Sequence, residues 1–141
     1  MFILYPLLVA VPLGYLLGGR LDRLGAIRIR WAWLAVAGLV VQVVLFSDAV
    51  ATAVGAAGTP LYVGSTGAVF RVVLRNLRVA GFPLVTAGAA LNLVAILANG
   101  GCMPADPRAL SAVGEPIVPD PTIYSNSCVP ADPVLVPLTD I

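Results

Sequence analysis

Residues 18–30 of the chain read GGRLDRLGAIRIR. This stretch contains four of the chain's eight basic residues, all of them arginine: Arg20, Arg23, Arg28 and Arg30. No charged side chain occurs in residues 1–17 before it or in residues 31–47 after it. A short arginine-rich loop between two long apolar runs is typical of a polytopic membrane protein, whose basic loops stay in the cytoplasm.

A second arginine cluster and the distribution of acidic residues extend this pattern. Arg71, Arg75 and Arg78 form the second cluster, and only Asp22 among the acids lies within either cluster. The other acids are Asp48, Asp106, Glu115, Asp120, Asp132 and Asp140. If both arginine clusters are cytoplasmic, the N-terminus and the acidic C-terminal region lie outside.

Composition supports a membrane location and excludes several chemistries. The chain is 60% hydrophobic and 11% charged, whereas soluble domains are about 45–50% apolar and about 25% charged. Without histidine, the chain has no Ser-His-Asp triad, bis-histidine haem site or histidine-based metal site of its own. Two cysteines are too few for an all-cysteine zinc or iron–sulfur site. We therefore predict no cofactor, no metal and no catalytic residue.

The apolar runs predict an all-α integral membrane protein with four transmembrane helices. A helix rises about 1.5 Å per residue, so that some 20 residues cross the hydrocarbon core. The predicted helical bundle is 1–99, with spans at about 2–18, 31–47, 59–77 and 83–99. The first span is expected to be an uncleaved anchor, because the basic cluster follows it. Residues 100–141 then form a proline-rich extracytoplasmic tail on a bacterial cytoplasmic membrane.

Helix boundaries are predicted from capping residues. We expect an extracytoplasmic loop after Asp48 and a third helix that starts with Thr59 as N-cap and Pro60 at the first helical position. In the tail, Asp106 and Pro107 predict the start of a short helix that ends before Gly114.

The two cysteines and two amides are the candidate side chains for specific contacts. Cys102 and Cys128 share an oxidising compartment in this topology, so that a structural disulfide is expected, with a redox pair or free thiols as alternatives. Gln42 and Asn92 lie at similar depth in spans 2 and 4, where an interhelical hydrogen bond or a substrate contact is expected. No acid lies within a span, which argues against a proton relay.

The three arginines of the second cluster stand at i, i+4 and i+7, on one face of the third helix. They could anchor the helix at lipid headgroups, or bind anionic lipid or an acidic partner surface. The sequence predicts these contacts for Arg71, Arg75 and Arg78 without choosing between them.

One segment resembles a known signature. Asn99, Gly100, Gly101, Met103 and Pro104 match the Asn-Gly-Gly-x-Met-Pro pattern that ends an apolar helix in an uncharacterised bacterial family of small multi-pass membrane proteins, a domain of unknown function. Residues 18–21, 81–84 and 138–141 are also similar to that family. The resemblance implies a membrane protein without an assigned activity, and family members often continue into a further hydrophobic segment.

The leading functional prediction is a non-catalytic accessory or scaffold subunit of a larger membrane complex. Its expected partners are the lipid bilayer and other membrane protein subunits, and no nucleic acid is expected. One alternative is a small transporter or lipid-binding protein that uses the space between spans 2 and 4. Another is a membrane-surface enzyme that uses tail carboxylates such as Asp106 and Asp132.

Overall fold

The computed structural model describes residues 4–20, 25–112, 114 and 124–139. Six helices follow one another in these residues: α1 (Leu4–Leu16), α2 (Ala32–Leu45), α3 (Asp48–Val54), α4 (Gly58–Arg75), α5 (Phe82–Ala98) and α6 (Pro107–Ala112). Two-residue strands β1 (Met103–Pro104) and β2 (Ser127–Cys128) pair in the tail. Five of the charged residues that the predicted topology places on one side of the membrane or the other lie outside the described residues. They are Asp22, Arg23, Glu115, Asp120 and Asp140.

The central helix is α4, and α2 and α5 each pack against it. We call these three helices the helical layer. Gly38 on α2 sits so close to α4 that a Cβ added there would lie 3.1 Å from the Ser65 carbonyl oxygen and 2.9 Å from Val69 Cγ2. The small residue therefore lets the two helices approach closely.

The buried core lies at one end of the helical layer. Leu45, Tyr62, Ala95 and Ile96 meet there, and Met103 from the tail completes the cluster. We call this the tail end, and the opposite end, where Arg30 is hydrogen-bonded to Asn76, the arginine end. The core forms where the tail folds back onto the helices, because the tail covers apolar helix side chains of the kind that stay exposed along the rest of the layer.

Large apolar side chains are exposed along the rest of the layer. Val43 on α2 is 73% exposed and Leu84 on α5 is 81% exposed. Among the described residues no single helix is both long enough and apolar enough to cross a bilayer; α2 with Asp48–Arg75 meets both conditions as a pair bent by 86°, and α5 is a shorter apolar helix. The all-α prediction is confirmed at the level of a mostly helical chain, whereas four membrane spans stay a prediction.

The prediction of a loop after Asp48 is wrong, because helix α3 occupies Asp48–Val54. The carbonyl of Ser47 accepts the N–H groups of Val50 and Ala51, so that Ser47 and Asp48 begin a helix rather than only ending the previous one.

The start of α4 also differs from the prediction. It begins at Gly58, after a 3₁₀ turn at Gly55–Ala57, and no side chain caps it. Because the preceding turn is already helical, its backbone carbonyls are available to the first N–H groups and a Thr59 cap is not needed. The predicted tail helix is confirmed: α6 starts at Pro107, and Asp106 Oδ1 accepts the Arg108 N–H at 2.7 Å.

Candidate functional site

A cleft of about 200 Å³ opens over α4, between α2 and α5. Its apolar wall includes Leu39, Val69 and Phe70, and its polar groups come from Tyr62, Gln42, Thr66 and Asn92. α4 runs antiparallel to both neighbours, because Tyr62 near its start packs with Leu45 and Ile96 near the ends of α2 and α5. This arrangement brings the lining positions of the three helices to the same level. The structure therefore places both predicted amides around one cleft, and the described residues that line it include no charged side chain.

Gln42 has different hydrogen-bond partners from those predicted. Its Nε2 donates to Thr66 Oγ1 at 3.1 Å and to Ser65 Oγ at 3.3 Å, instead of bonding Asn92. The Ser65 hydroxyl donates its own hydrogen to the Tyr62 carbonyl at 2.9 Å. Ser65 Oγ can therefore only accept from Gln42, which fixes the orientation of the amide and leaves Gln42 Oε1 as its free acceptor.

Asn92 is exposed in the middle of the apolar helix α5. Within the described residues, none forms a hydrogen bond with its side-chain amide, and none accepts the Thr66 hydroxyl hydrogen. The predicted Gln42–Asn92 bond is absent because Ser65 and Thr66, on the helix between the two, reach Gln42 first. The cleft thus holds polar groups whose hydrogen-bonding capacity is only partly used.

The arginines of the second cluster do not share one helical face. Arg71 and Arg75 are exposed on α4, but α4 ends at Arg75 and Arg78 follows in the next turn. The helix ends there because the Asn76 side chain takes the Val72 carbonyl at 2.7 Å, which the next helical N–H would otherwise use.

Arg75 is held against an aromatic ring at the arginine end. Its guanidinium carbon lies 5.3 Å from the centroid of Trp31, in cation–π geometry. Trp31 has a left-handed φ of 63° at the start of α2. Such a conformation costs about 1–2 kcal/mol for a residue with a side chain, and the stacking on Arg75 offsets part of this cost. Binding of lipid or of a partner by these arginines stays a prediction.

The predicted disulfide is present in the tail. Cys102 and Cys128 are bonded, with Cα atoms 5.9 Å apart. The bond joins the two short strands, in which Met103 lies opposite Ser127 and Pro104 opposite Cys128 in parallel register. The Ala105 N–H donates to the Cys128 carbonyl at 3.0 Å. The tail segments on both sides of α6 are therefore held together.

Asn99, at the end of α5, fastens the distal tail to the helices. Its Oδ1 accepts the Val134 N–H and its Nδ2 donates to the Val134 carbonyl, both at 2.9 Å. Asn76 makes the same pair of bonds with Arg30 at the arginine end, at 2.8 and 2.9 Å. Each side-chain amide thus donates one hydrogen bond to the backbone of a single distant residue and accepts one from it, as a residue of a neighbouring β-strand would.

The rest of the Asn-Gly-Gly-x-Met-Pro segment has structural roles as well. Gly101 has a φ of 93°, and a Cβ there would lie 2.3 Å from Thr59 Cγ2 on α4. Met103 and Pro104 are buried. The segment therefore turns the chain tightly past α4 and places the tail against the core.

A protein-family model, the family of unknown function DUF5317, matches residues 26–141. The chain belongs to the DUF5317 family. This confirms the predicted membership of a domain of unknown function, while the Asn-Gly-Gly-x-Met-Pro segment as a mark of the family and a bacterial origin stay predictions. Comparison of the DUF5317 chain with curated proteins and with solved structures gives no match.

Tyr124 packs the tail of the DUF5317 chain against the segment that joins α2 to α4, which we call the bend before α4. Its N–H donates to the Ala51 carbonyl at 3.0 Å, and its ring stacks on Phe46 with centroids 6.4 Å apart. A Cβ on Gly58 would overlap this ring, so that glycine is needed there. The Tyr124 hydroxyl is buried without a hydrogen-bond partner among the described residues. Burial, with a smaller contribution from Tyr62, raises the pKa of Tyr124 to about 12.

We expect Tyr124→Phe to raise the free energy of unfolding by about 1 kcal/mol, because it removes a buried hydroxyl without a partner. The folded-state pKa lies above the ordinary value of 10.0, so that the stability from the neutral hydroxyl is complete below pH 10 and is lost as the pH rises through about 12. Tyrosinate absorbance and proteolysis of the tail, measured between pH 9 and pH 12 in both proteins, check this. If the tail of the phenylalanine variant became equally susceptible to proteolysis as the pH rises, this prediction would be wrong.

Sequence reasoning missed Ser65, Thr66, Asn76 and Tyr124. The first two could have been found, because Tyr62, Ser65, Thr66 and Val69 recur at helical spacing on the face of α4 that meets α2. Asn76 follows an apolar helix, where asparagine often ends the helix. Tyr124 lies in a proline-rich stretch of this DUF5317 sequence without periodicity, and nothing local in the sequence indicates its contact.

Proposed function

We propose that the chain is a non-catalytic integral membrane protein that acts as an accessory subunit of a larger membrane assembly. The observation that carries the proposal is a run of three exposed apolar residues, Val134, Leu135 and Val136, on the folded tail. In the proposed topology this run lies outside the lipid, where exposed apolar surface marks a contact with another protein.

The exposed faces of α2 and α5 support the membrane part of the proposal. α5 has 17 residues and no charged side chain, and at about 1.5 Å per residue its length approaches the hydrocarbon thickness of a bilayer. The charged groups Arg30 and Arg75 lie at one end of the layer, while Asp48 follows α2 at the other end, where Leu45 belongs to the core that Met103 of the tail completes. We propose that the arginine end faces the cytoplasm of a bacterial cell, and that the N-terminus and the tail lie outside.

The conformation of Leu135 supports a docking role for the tail. Leu135 has a left-handed φ of 59°, which is uncommon for a residue with a bulky side chain. The two hydrogen bonds between Asn99 and Val134 hold the neighbouring backbone in place. The apolar run is therefore presented on an ordered backbone, which lowers the entropy cost of binding a partner.

The experiment places a photoreactive amino acid at Leu135 and, as a control, at Ser111 on the exposed polar surface of α6. After irradiation of intact membranes we expect one discrete protein adduct from position 135 and none from position 111. Leu135→Asn should reduce co-migration with the partner about tenfold, since about 1.4 kcal/mol of apolar contact is lost. Asparagine tolerates a left-handed φ, so the tail should keep its fold.

Two outcomes would overturn the proposal, each in a different part. Release of the protein from membranes by alkaline carbonate would overturn the membrane part. Migration as a lone monomer in mild detergent, with no protein adduct from position 135, would overturn the accessory part.

A further inference from the structure

We propose that the cleft between α2, α4 and α5 binds the neutral head group of a single-chain lipid amphiphile that both donates and accepts hydrogen bonds, as the glycerol ester of a monoacylglycerol does. The inference rests on the membrane location in the proposed function. It does not depend on the accessory role.

Several polar groups in the cleft have donors or acceptors that no described residue uses, and these point to a ligand. Gln42 uses its Nε2 on Ser65 and Thr66, which leaves Oε1 as an acceptor. The Thr66 hydroxyl accepts from Gln42 and keeps its own hydrogen as a donor. The Asn92 amide offers both kinds of group and has no partner among the described residues. In hydrocarbon each unused polar group is costly, and a complementary head group would satisfy them together.

Charge and size narrow the class of ligand. Among the described residues, none of those that line the cleft is charged, so that an anionic or cationic head group would enter it without a counter-charge from them, at a large cost in desolvation. Its volume of about 200 Å³ somewhat exceeds the roughly 150 Å³ of a cavity that takes up benzene. A glycerol ester head group fits this space, whereas a transmembrane helix about 10 Å across does not.

The position of Leu39 and Asn92 explains how an acyl chain would be accommodated. Both residues line the cleft and both are exposed, so that the cleft opens sideways rather than being enclosed. The head group would contact Gln42, Thr66 and Asn92, while the chain would follow the exposed apolar surface of α2 and α5. This face of the helical layer would therefore bind a polar head group within the hydrocarbon region of the bilayer.

The experiment uses the full-length protein in mild detergent and three photoreactive probes that share one diazirine-bearing acyl chain. One is a monoacylglycerol, the second is the corresponding lysophosphatidic acid, and the third is the hydrocarbon without a head group. We expect the monoacylglycerol to label residues around the cleft at a concentration at least about fivefold lower than either other probe requires. Asn92→Leu should raise that concentration about fivefold, since it removes groups that bond the ligand and makes no bond in the ligand-free fold.

A double variant, Asn92→Leu with Val94→Asn, serves as the matched control. It keeps one asparagine in α5 but moves the amide away from the cleft by about 200° around the helix, so labelling should stay as weak as in the single variant. Equal labelling by all three probes, or unchanged labelling of a folded Asn92→Leu protein, would overturn the proposal. A discrete peptide–peptide adduct at the cleft would also overturn it, in favour of a protein occupant. Because labelling is read in detergent, these outcomes are separate from carbonate extraction and from adducts at position 135.

Discussion

Asn76→Leu is expected to lower the free energy of unfolding by about 3 kcal/mol. The Asn76 side chain is 3% exposed and makes three hydrogen bonds, two to the backbone of Arg30 and one to the Val72 carbonyl. Each such bond contributes about 1 kcal/mol, and leucine would also leave the backbone groups without partners. Titration with sodium dodecyl sulfate, followed by helical circular dichroism, measures the change.

Asn92→Leu is the control for this experiment. It replaces the same residue type on a helix, but at an exposed position whose amide has no hydrogen bond among the described residues. We expect no loss of stability from Asn92→Leu, because the substitution breaks no hydrogen bond of the described residues and removes an amide whose hydrogen-bonding capacity is unused. If the two variants unfold at the same detergent fraction, the role assigned to the Asn76 amide is wrong.

Cys102→Ser combined with Cys128→Ser is expected to destabilise the folded tail by about 3–4 kcal/mol. The bonded cysteines are 26 positions apart, and on the chain-entropy model a loop of that size contributes about this amount. The Met103 and Ala105 N–H groups, which donate to Asn126 and Cys128, should exchange with solvent much faster. Hydrogen exchange with mass spectrometry measures this, and amides in the middle of α4 serve as the internal reference.

Reduction of the wild-type protein should reproduce the behaviour of the double variant. Unchanged exchange at Met103 and Ala105 in the reduced protein would show that the strand pairing holds the tail without the disulfide. Acceleration of the α4 amides to the same degree would show instead that the whole chain has unfolded.

Local signals predicted the features that depend on only a few neighbouring residues. The uncharged runs 31–47 and 83–99 predicted α2 and α5 to within two residues at each end, because apolar content and flanking loops determine where such helices begin and end. Asp106 followed by Pro107 predicted α6, since capping involves only adjacent residues. The disulfide could be predicted because the chain has only two cysteines.

The features that were missed depend on packing. α3 lies in an Ala-rich stretch without apolar periodicity, so that only Ser47 and Asp48 indicated a helix there. The partners of Gln42 depend on how far each helix is rotated about its axis, which depth along a span does not determine. The contacts of Tyr124 with Ala51 and Phe46 join distant parts of the chain, and no local pattern encodes them.

The contact of Tyr124 with the bend before α4 has a consequence for biosynthesis. The ring that fills the space above Gly58 belongs to a residue added 66 positions later. At about 5–20 residues per second, a ribosome needs about 3–13 s to cover that distance. Until then the bend lacks its aromatic cover, and α2 and α4 emerge with Phe46 and Tyr62 unshielded. The nascent chain therefore completes this corner only after the tail segment that contains Tyr124 has been synthesised.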